Sequence, residues 1–232
     1  MTVRRGGGSS SSYRLRRSSP TGPANATVVL SGPGTVSAYD GVGRDDLLLA
    51  SLTRHLVSGG AQVLQCDMPA RHTGVPSEEV DEVARAERLE HLLRAYAHPA
   101  SGPVSLLGFS LGGHAVLRLL GSTRSRLVDR AVLVGTVVGQ KTFVNAPITS
   151  LDFVYGSCDL IGYQAVDAPA DELPPLTYGP DVYGKWCASR LSCRTEPTVR
   201  IHVLNGLGHT LHPCVAEPVM DPVPFLAALT SA

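Results

Sequence analysis

The sequence has no apolar run near the roughly 18 residues that a membrane span requires. Its N-terminus has five arginines between positions 4 and 17. The apolar stretch of about 7–15 residues that would follow them in a signal peptide is missing. Lys plus Arg and Asp plus Glu both number 20, so neither sign of charge is in excess. We therefore expect a cytoplasmic protein with no membrane partner and no nucleic-acid partner.

Cysteine is scarce and irregularly spaced, with five residues and no Cys-x-x-Cys pair. Without paired ligand spacing we expect no structural zinc and no other cofactor. Cys66 and Cys158 lie at predicted strand ends, where we expect inert core thiols. A bridge between Cys187 and Cys193 is compatible with the sequence, but spacing alone does not establish it.

Internal repeats are absent, and low complexity is confined to the start of the chain. Residues 1–25 are basic and rich in Gly and Ser, which predicts a flexible tail; the alternative is an electrostatic docking arm. Residues 26–232 are enough for one domain with a sizeable core. Nothing in the sequence indicates an oligomeric state.

Apolar strands alternate with amphipathic helices along this domain. The predicted strands are 27–30, 61–66, 104–107, 131–134, 151–155 and 198–204, and the predicted helices are 45–57, 77–97, a segment ending near 120, and 221–232. This order predicts an α/β fold with a mostly parallel central sheet and helices on both faces. Ligands bind beyond the carboxyl ends of such strands, so the loops there should converge on one site.

One of these loops contains Gly-Phe-Ser-Leu-Gly at positions 108–112, between an apolar strand and a helical pattern. This context is that of a nucleophile elbow, whose strained turn exposes the hydroxyl of Ser110. Gly108 and Gly112 leave space where a side chain would clash. The alternative is an ordinary strand-to-helix turn whose serine caps the helix. His114, just after the elbow, is expected to pack against the helix or cap it.

A serine nucleophile needs a base that takes its proton and an acid that orients the base. Asp159 follows a predicted strand in Tyr-Gly-Ser-Cys-Asp, and His209 lies in the glycine-bracketed loop after the last strand. The chain order Ser110, Asp159, His209 is the one expected for this elbow type. Weaker candidates are Asp152 and Asp167 for the acid and His212 for the base.

These motifs make the chain resemble α/β-hydrolase-fold proteins over roughly residues 26–230. The segment from Ser31-Gly32-Pro33-Gly34 to Asp40-Gly41 also resembles the Gly-Ser-Gly-Pro…Asp-Arg-Asp-Gly loop of bacterial esterase-like and peptidase-like members. The resemblance implies that Ser110 is the nucleophile, His209 the general base and Asp159 its orienting acid.

The resemblance also implies an oxyanion hole with two halves. The amide of Leu111 would form one half, and the segment Gly32, Pro33 and Gly34 would form the other. Asp40 would hold the substrate or the oxyanion loop; the alternative is that it only forms a turn.

The chain departs from the family pattern in four places. Ser31 replaces the histidine that usually precedes the first oxyanion glycine, and the common Asp-x-Arg-Gly loop reads Asp-Met-Pro-Ala-Arg at 67–71. The region after Val138, where a cap is often inserted, is very short. Residues 162–197 instead form a long insertion that we interpret as a substitute lid. Its aromatic side chains are expected to be buried anchors rather than substrate stackers, namely Tyr178, Tyr183 and Trp186.

The favoured function is a serine hydrolase or acyl-transfer enzyme acting through an acyl-enzyme on an ester, thioester or amide. Its substrate would be a small molecule or a peptide-like compound. The departures above motivate an alternative from natural-product pathways, in which the same fold catalyses isomerisation, epimerisation or cyclisation, for example of a modified peptide. A third hypothesis is a non-catalytic binding protein on this fold.

Overall fold

A computed structural model of the protein describes residues 13–34, 44–69, 78–97, 102–122, 127–138, 140–159, 179–216 and 219–231. The strands in these ranges are β1 Leu15–Ser18, β2 Ala26–Ser31, β3 Ala61–Cys66, β4 Val104–Phe109, β5 Arg130–Val134, β6 Thr142–Val144, β7 Ser150–Gly156, β8 Leu191–Cys193 and β9 Thr198–Leu204. The helices are α1 Arg44–Ser58, α2 Glu78–Tyr96, α3 Leu111–Ser122, α4 Gly179–Ser189 and α5 Pro222–Ser231.

Seven of the described strands form one sheet in the order β1-β3-β2-β4-β5-β7-β9, and β6 pairs with β8 separately. Strand β1 is antiparallel to β3, whereas the other neighbours in the large sheet are parallel. Every residue of β2, β3, β4 and β7 is buried, which agrees with their largely apolar sequences, although polar residues such as Gln62 and Asp152 are buried too. The predicted mostly parallel α/β sheet is confirmed.

Apolar side chains pack against both faces of this sheet. One face is covered by α2, α3 and α4, through buried residues such as Leu89, Val116 and Cys187. The opposite face is covered by α1 and α5, through residues such as Leu52 and Leu226. The two layers fix the sheet between them, so the loops at its carboxyl edge start from rigid positions.

Strand β1 lies inside the segment predicted to be a flexible tail. Leu15 pairs with Cys66, and Arg14 beside it forms a salt bridge of 2.8 Å with Asp67. The predicted tail therefore does not extend through residues 15–18, while residues 1–12 lie outside the described part. A short edge strand with charged side chains has no apolar signature, which is why the sequence pattern missed it.

The described half of the predicted lid, residues 179–197, contains α4 and β8. Tyr183 on α4 is only 2% exposed, lies edge-on to Tyr155 of β7 and stacks with Trp186 at 5.8 Å. A β-carbon on Gly184 would lie 2.6 Å from the Ile201 side chain of β9. Helix α4 is thus part of the layer that covers the sheet, which corrects the lid interpretation here. Residues 162–178, including Tyr178, lie outside the described residues.

All five cysteines are free, so no bridge joins Cys187 and Cys193. Cys66 is buried as predicted, and burial raises the pKa of its thiol to about 12. Cys158 is exposed, which corrects the prediction of a core thiol, because it lies in the turn just beyond the end of β7. Among the described helices, none has both the length and the apolar character needed to cross a membrane.

Candidate active site

Ser110 occupies the turn between β4 and α3. Its φ of 49° lies in the left-handed region that non-glycine residues rarely adopt, so the backbone is strained there. The Ser110 N–H donates to the Val134 carbonyl oxygen at the end of β5, at 2.7 Å. This bond holds the turn against the neighbouring strand and presents the serine side chain at the carboxyl edge of the sheet.

The glycines around Ser110 allow two backbone segments to touch. A β-carbon on Gly108 would lie 2.6 Å from the Gly112 carbonyl oxygen. A β-carbon on Gly112 would collide with the Ser31 carbonyl and lie 2.5 Å from the Gly32 carbonyl oxygen. The loop after β2 therefore rests directly on the first turn of α3. This contact brings the two predicted halves of the oxyanion hole together.

The three predicted catalytic side chains form one hydrogen-bonded chain. His209 Nε2 lies 2.9 Å from Ser110 Oγ, and His209 Nδ1 lies 2.9 Å from Asp159 Oδ1. The Asp159 side chain is only 2% exposed and that of His209 14%. With a proton on Nδ1 that is donated to the carboxylate, Nε2 is free to accept the serine hydroxyl proton. The arrangement suits a serine that acts as a nucleophile.

Backbone bonds place Asp159 beside the loop that carries His209. The Asp159 N–H donates to the Gly156 carbonyl at 3.0 Å, and the Cys158 N–H donates to the Leu207 carbonyl at 2.9 Å. A β-carbon on Gly156 would collide with that same Leu207 carbonyl. The loops after β7 and β9 are therefore packed backbone to backbone, and this packing sets the distance between Asp159 and His209.

His209 is held from both sides of its own loop. The adjacent Thr210 hydroxyl donates to the Asp45 carboxylate in the first turn of α1 at 2.7 Å. Gly208 and His212 are joined by a 2.8 Å bond from the Gly208 N–H to the His212 carbonyl. The first contact joins the His209 loop to helix α1, and the second closes the loop on itself.

The rival candidates have other partners. Asp152, on β7, accepts two bonds from Arg200 at 2.7 and 2.9 Å and one from His202 at 2.8 Å. The imidazole Nε2 of His212 lies 3.5 Å from the thiol of Cys214. Asp167 and Asp40 lie outside the described residues. Within the described part of the chain, no group of three or more His, Cys, Asp or Glu side chains is placed to hold a metal ion.

The described residues contain potential donors for an oxyanion on both sides of Ser110. Leu111 is the first residue of α3, so its N–H has no acceptor within the helix and lies at the positive end of the helix dipole. In the facing segment Pro33 has no N–H and is buried. Of the predicted segment, only Gly32 and Gly34 can therefore supply an amide donor.

From the sequence, Arg85 was given no role at this site, and His114 was expected only to pack against the helix or cap it. The guanidinium of Arg85 donates to the Gly32 carbonyl at 3.0 Å and to the Pro33 carbonyl at 3.4 Å. A sequence signal for Arg85 existed, because it falls on the apolar stripe of α2 at helical spacing from Leu89. His114 Nδ1 lies 3.4 Å from Glu82 Oε1. Burial, with a smaller contribution from nearby His209, lowers the pKa of His114 to about 4.

Several solved structures are similar to the structure of this chain. Solved structures that match include an α/β serine hydrolase homologue from Coxiella burnetii, with 13% identity, a TM-score of 0.58 and coverage of 99% of this chain and 95% of that one. A dienelactone hydrolase from Anabaena variabilis matches with 14% identity, a TM-score of 0.62 and coverage of 99% and 94%. An α/β serine hydrolase without a lid from Xanthomonas campestris matches with 16% identity, a TM-score of 0.56 and coverage of 91% and 86%.

No protein-family model matches the sequence, and no curated protein matches it either. At identities of 13–16% the structural likeness establishes the fold and leaves the chemistry to the site itself. The sheet order, the elbow and these structural neighbours agree: the chain has the α/β-hydrolase fold.

Proposed function

We propose that the protein is a serine hydrolase or acyl-transfer enzyme that acts on an ester, thioester or amide through an acyl-enzyme. The observation that supports this function best is the continuous hydrogen-bonded chain from Ser110 through His209 to Asp159, with both distances at 2.9 Å. A binding protein would have no need of a strained serine with a base and a buried acid behind it.

In the proposed reaction Ser110 Oγ attacks the substrate carbonyl while His209 Nε2 takes the hydroxyl proton. The Asp159 carboxylate keeps the imidazole oriented and stabilises the imidazolium that forms. The carbonyl oxygen gains negative charge, which the Leu111 amide and an amide of the Gly32–Gly34 segment would stabilise. His209 then donates its proton to the leaving group as the tetrahedral intermediate collapses. Water or another acceptor, deprotonated by His209, releases the acyl group in the same way.

The substrate is proposed to be a small molecule or a peptide-like compound. Activated esters are the first compounds to test, because their good leaving groups make acylation the easiest of the candidate reactions. The cytoplasmic location and the absence of nucleic-acid and membrane partners stay predictions.

The first test is labelling with a fluorophosphonate, which forms a stable covalent adduct with an activated serine. We expect one adduct, located on Ser110 by peptide mass spectrometry, and turnover of p-nitrophenyl esters. Ser110→Ala should abolish labelling and lower turnover by about three orders of magnitude or more, with unchanged folding by circular dichroism. Ser189→Ala on α4 is the matched control and should label like the wild type.

A folded wild-type protein that forms no adduct would overturn the hydrolytic and acyl-transfer function. The non-hydrolytic alternative, an isomerase, epimerase or cyclase on this fold, would then be supported. Pro33 gives that alternative its specific basis, because it removes one possible amide donor from the oxyanion segment.

A further inference from the structure

Arg85 on α2 is a charged side chain with no exposed surface, next to the proposed active site. Its guanidinium donates to the carbonyl oxygens of Gly32 at 3.0 Å, Pro33 at 3.4 Å and Pro69 at 3.4 Å. The first two acceptors lie in the loop after β2, and the third lies in the loop after β3. One side chain therefore joins the loops at the carboxyl ends of two adjacent strands.

A fully buried arginine is rare, because removing the charge from water costs free energy unless hydrogen bonds replace the lost hydration. The planar guanidinium has five donors in a fixed geometry, so it can serve several carbonyls at once where a lysine cannot. The acceptors of these three bonds are backbone carbonyls of two loops. This choice of acceptors indicates that Arg85 orders the loops.

The bonds from Arg85 also determine which way the loop amides face. No cis peptide bond occurs among the described residues, and in a trans peptide the C=O and the following N–H point in opposite directions. When the Pro33 carbonyl is held toward α2, the Gly34 N–H must face away from α2. The same loop rests on Gly112, two residues after Ser110.

We propose that Arg85 is a positioning residue for the oxyanion hole. By holding the Gly32 and Pro33 carbonyls, it fixes the two peptide units that flank Pro33 and so aims the Gly34 amide, the one N–H in these two units, at the carbonyl oxygen of the substrate. This role rests on the proposed function, because the segment affects the rate only if Ser110 forms a tetrahedral intermediate.

The test compares Arg85→Met, Arg85→Lys and a matched control, Arg94→Met. Arg94 lies on the exposed part of α2 and pairs with Glu90. Loss of one oxyanion donor typically lowers kcat by about 10²–10³-fold, so we expect a fall of about 10²-fold in Arg85→Met with KM changed less than about threefold. Arg85→Lys should recover part of this loss, and Arg94→Met should match the wild type.

A second measurement distinguishes a specific effect on the oxyanion segment from a general loss of active-site structure. A trifluoromethyl ketone that forms a tetrahedral adduct with Ser110 should bind Arg85→Met more weakly, by the same factor as the fall in kcat/KM. A non-reactive amide analogue of the substrate should bind unchanged. Equal loss of affinity for both compounds, or full kcat in a folded variant, would overturn the role of Arg85.

Two further outcomes are distinguishable. If Arg85→Met does not fold, Arg85→Lys becomes the test of the inference. A wild-type kcat in this variant, together with unshifted Gly32 and Gly34 amide signals in NMR spectra, would overturn the inference. If the wild type forms no fluorophosphonate adduct, the proposed function fails first, and the role in catalysis fails with it. Shifted and broadened Gly32 and Gly34 signals in Arg85→Lys would then leave Arg85 as an organiser of the loop only.

Discussion

His114 places a second imidazole one helical turn after Ser110. Burial lowers its pKa from 6.5 to about 4, and the nearby His209 acts in the same direction. The Glu82 carboxylate, 3.4 Å from Nδ1, favours the protonated form and opposes this shift, but burial is the larger effect. His114 is therefore neutral at neutral pH.

This shift predicts a dependence of stability on pH. Between pH 6.5 and about 4 the unfolded chain binds a proton at His114 that the folded chain does not, so stability should fall as the pH is lowered through this range. His114→Gln removes that difference and should flatten the fall in the urea midpoint between pH 7 and pH 4.5. The exposed His55 provides the control, since His55→Gln should keep the wild-type slope. An unchanged slope in His114→Gln would refute the assignment.

Helix α4 shows how an element can be misread when its pattern is interrupted. Gly179, Pro180 and Gly184 break its helical signal, so the segment resembled a loop insertion. In the structure Tyr183 anchors the helix between Tyr155 and Trp186. We therefore expect α4 to contribute to stability rather than to gate the site.

Tyr183→Ala tests this role of α4. Deleting a buried aromatic side chain typically costs about 3–5 kcal/mol, and we expect a loss of that order in the free energy of unfolding. Lys185→Ala on the exposed side of the same helix should change it by less than about 0.5 kcal/mol. Urea denaturation measures both. If Tyr183→Ala keeps its stability and instead changes the preference among ester substrates, α4 is a lid after all.

Burial decides the pattern of some elements that could be predicted from sequence. Strand β3 is buried throughout and has its predicted bounds, and β9 also has its predicted bounds although only Leu204 in it is buried. Strands β1, β6 and β8 have only three or four residues and are partly exposed, so no run of apolar residues indicates them. Their pairing depends on partners distant in sequence, which a local pattern does not contain.

For the whole molecule, the rule that parallel strands present their carboxyl ends at one edge was enough to bring Ser110, Asp159 and His209 together. The same rule could not identify Arg85, because the rule concerns strand ends, whereas Arg85 lies on α2 and contacts the loop carbonyls from there. The rule also did not indicate a role for Pro33. Its missing N–H matters only if the loop faces the carbonyl oxygen of the substrate. Strand order predicts which loops meet, whereas side-chain contacts decide how they face each other.

At Gly135, just after β5, the converging loops leave no space for a side chain. Its φ is 57°, and its N–H donates to the Val154 carbonyl of β7 at 2.9 Å. A β-carbon there would collide with the His209 carbonyl and lie 3.0 Å from the imidazole Nδ1. The backbone just after β5 thus forms the surface against which the His209 imidazole rests, and only glycine leaves room for it.

Gly135→Ala should therefore displace His209 while leaving the sheet intact. A misplacement of about 1 Å in a catalytic group can cost about 10²-fold, and we expect a fall of at least that size in kcat/KM. The left-handed backbone adds a strain of about 1–2 kcal/mol, small enough for the variant to fold. Gly22→Ala is the matched control, because a β-carbon there meets nothing within 4 Å. Ester turnover, read beside the far-ultraviolet circular dichroism of each variant, measures the effect. Full activity in Gly135→Ala would show that β5 does not support the base, and that the contacts of the His209 loop with Asp45 and Asp159 suffice to place it.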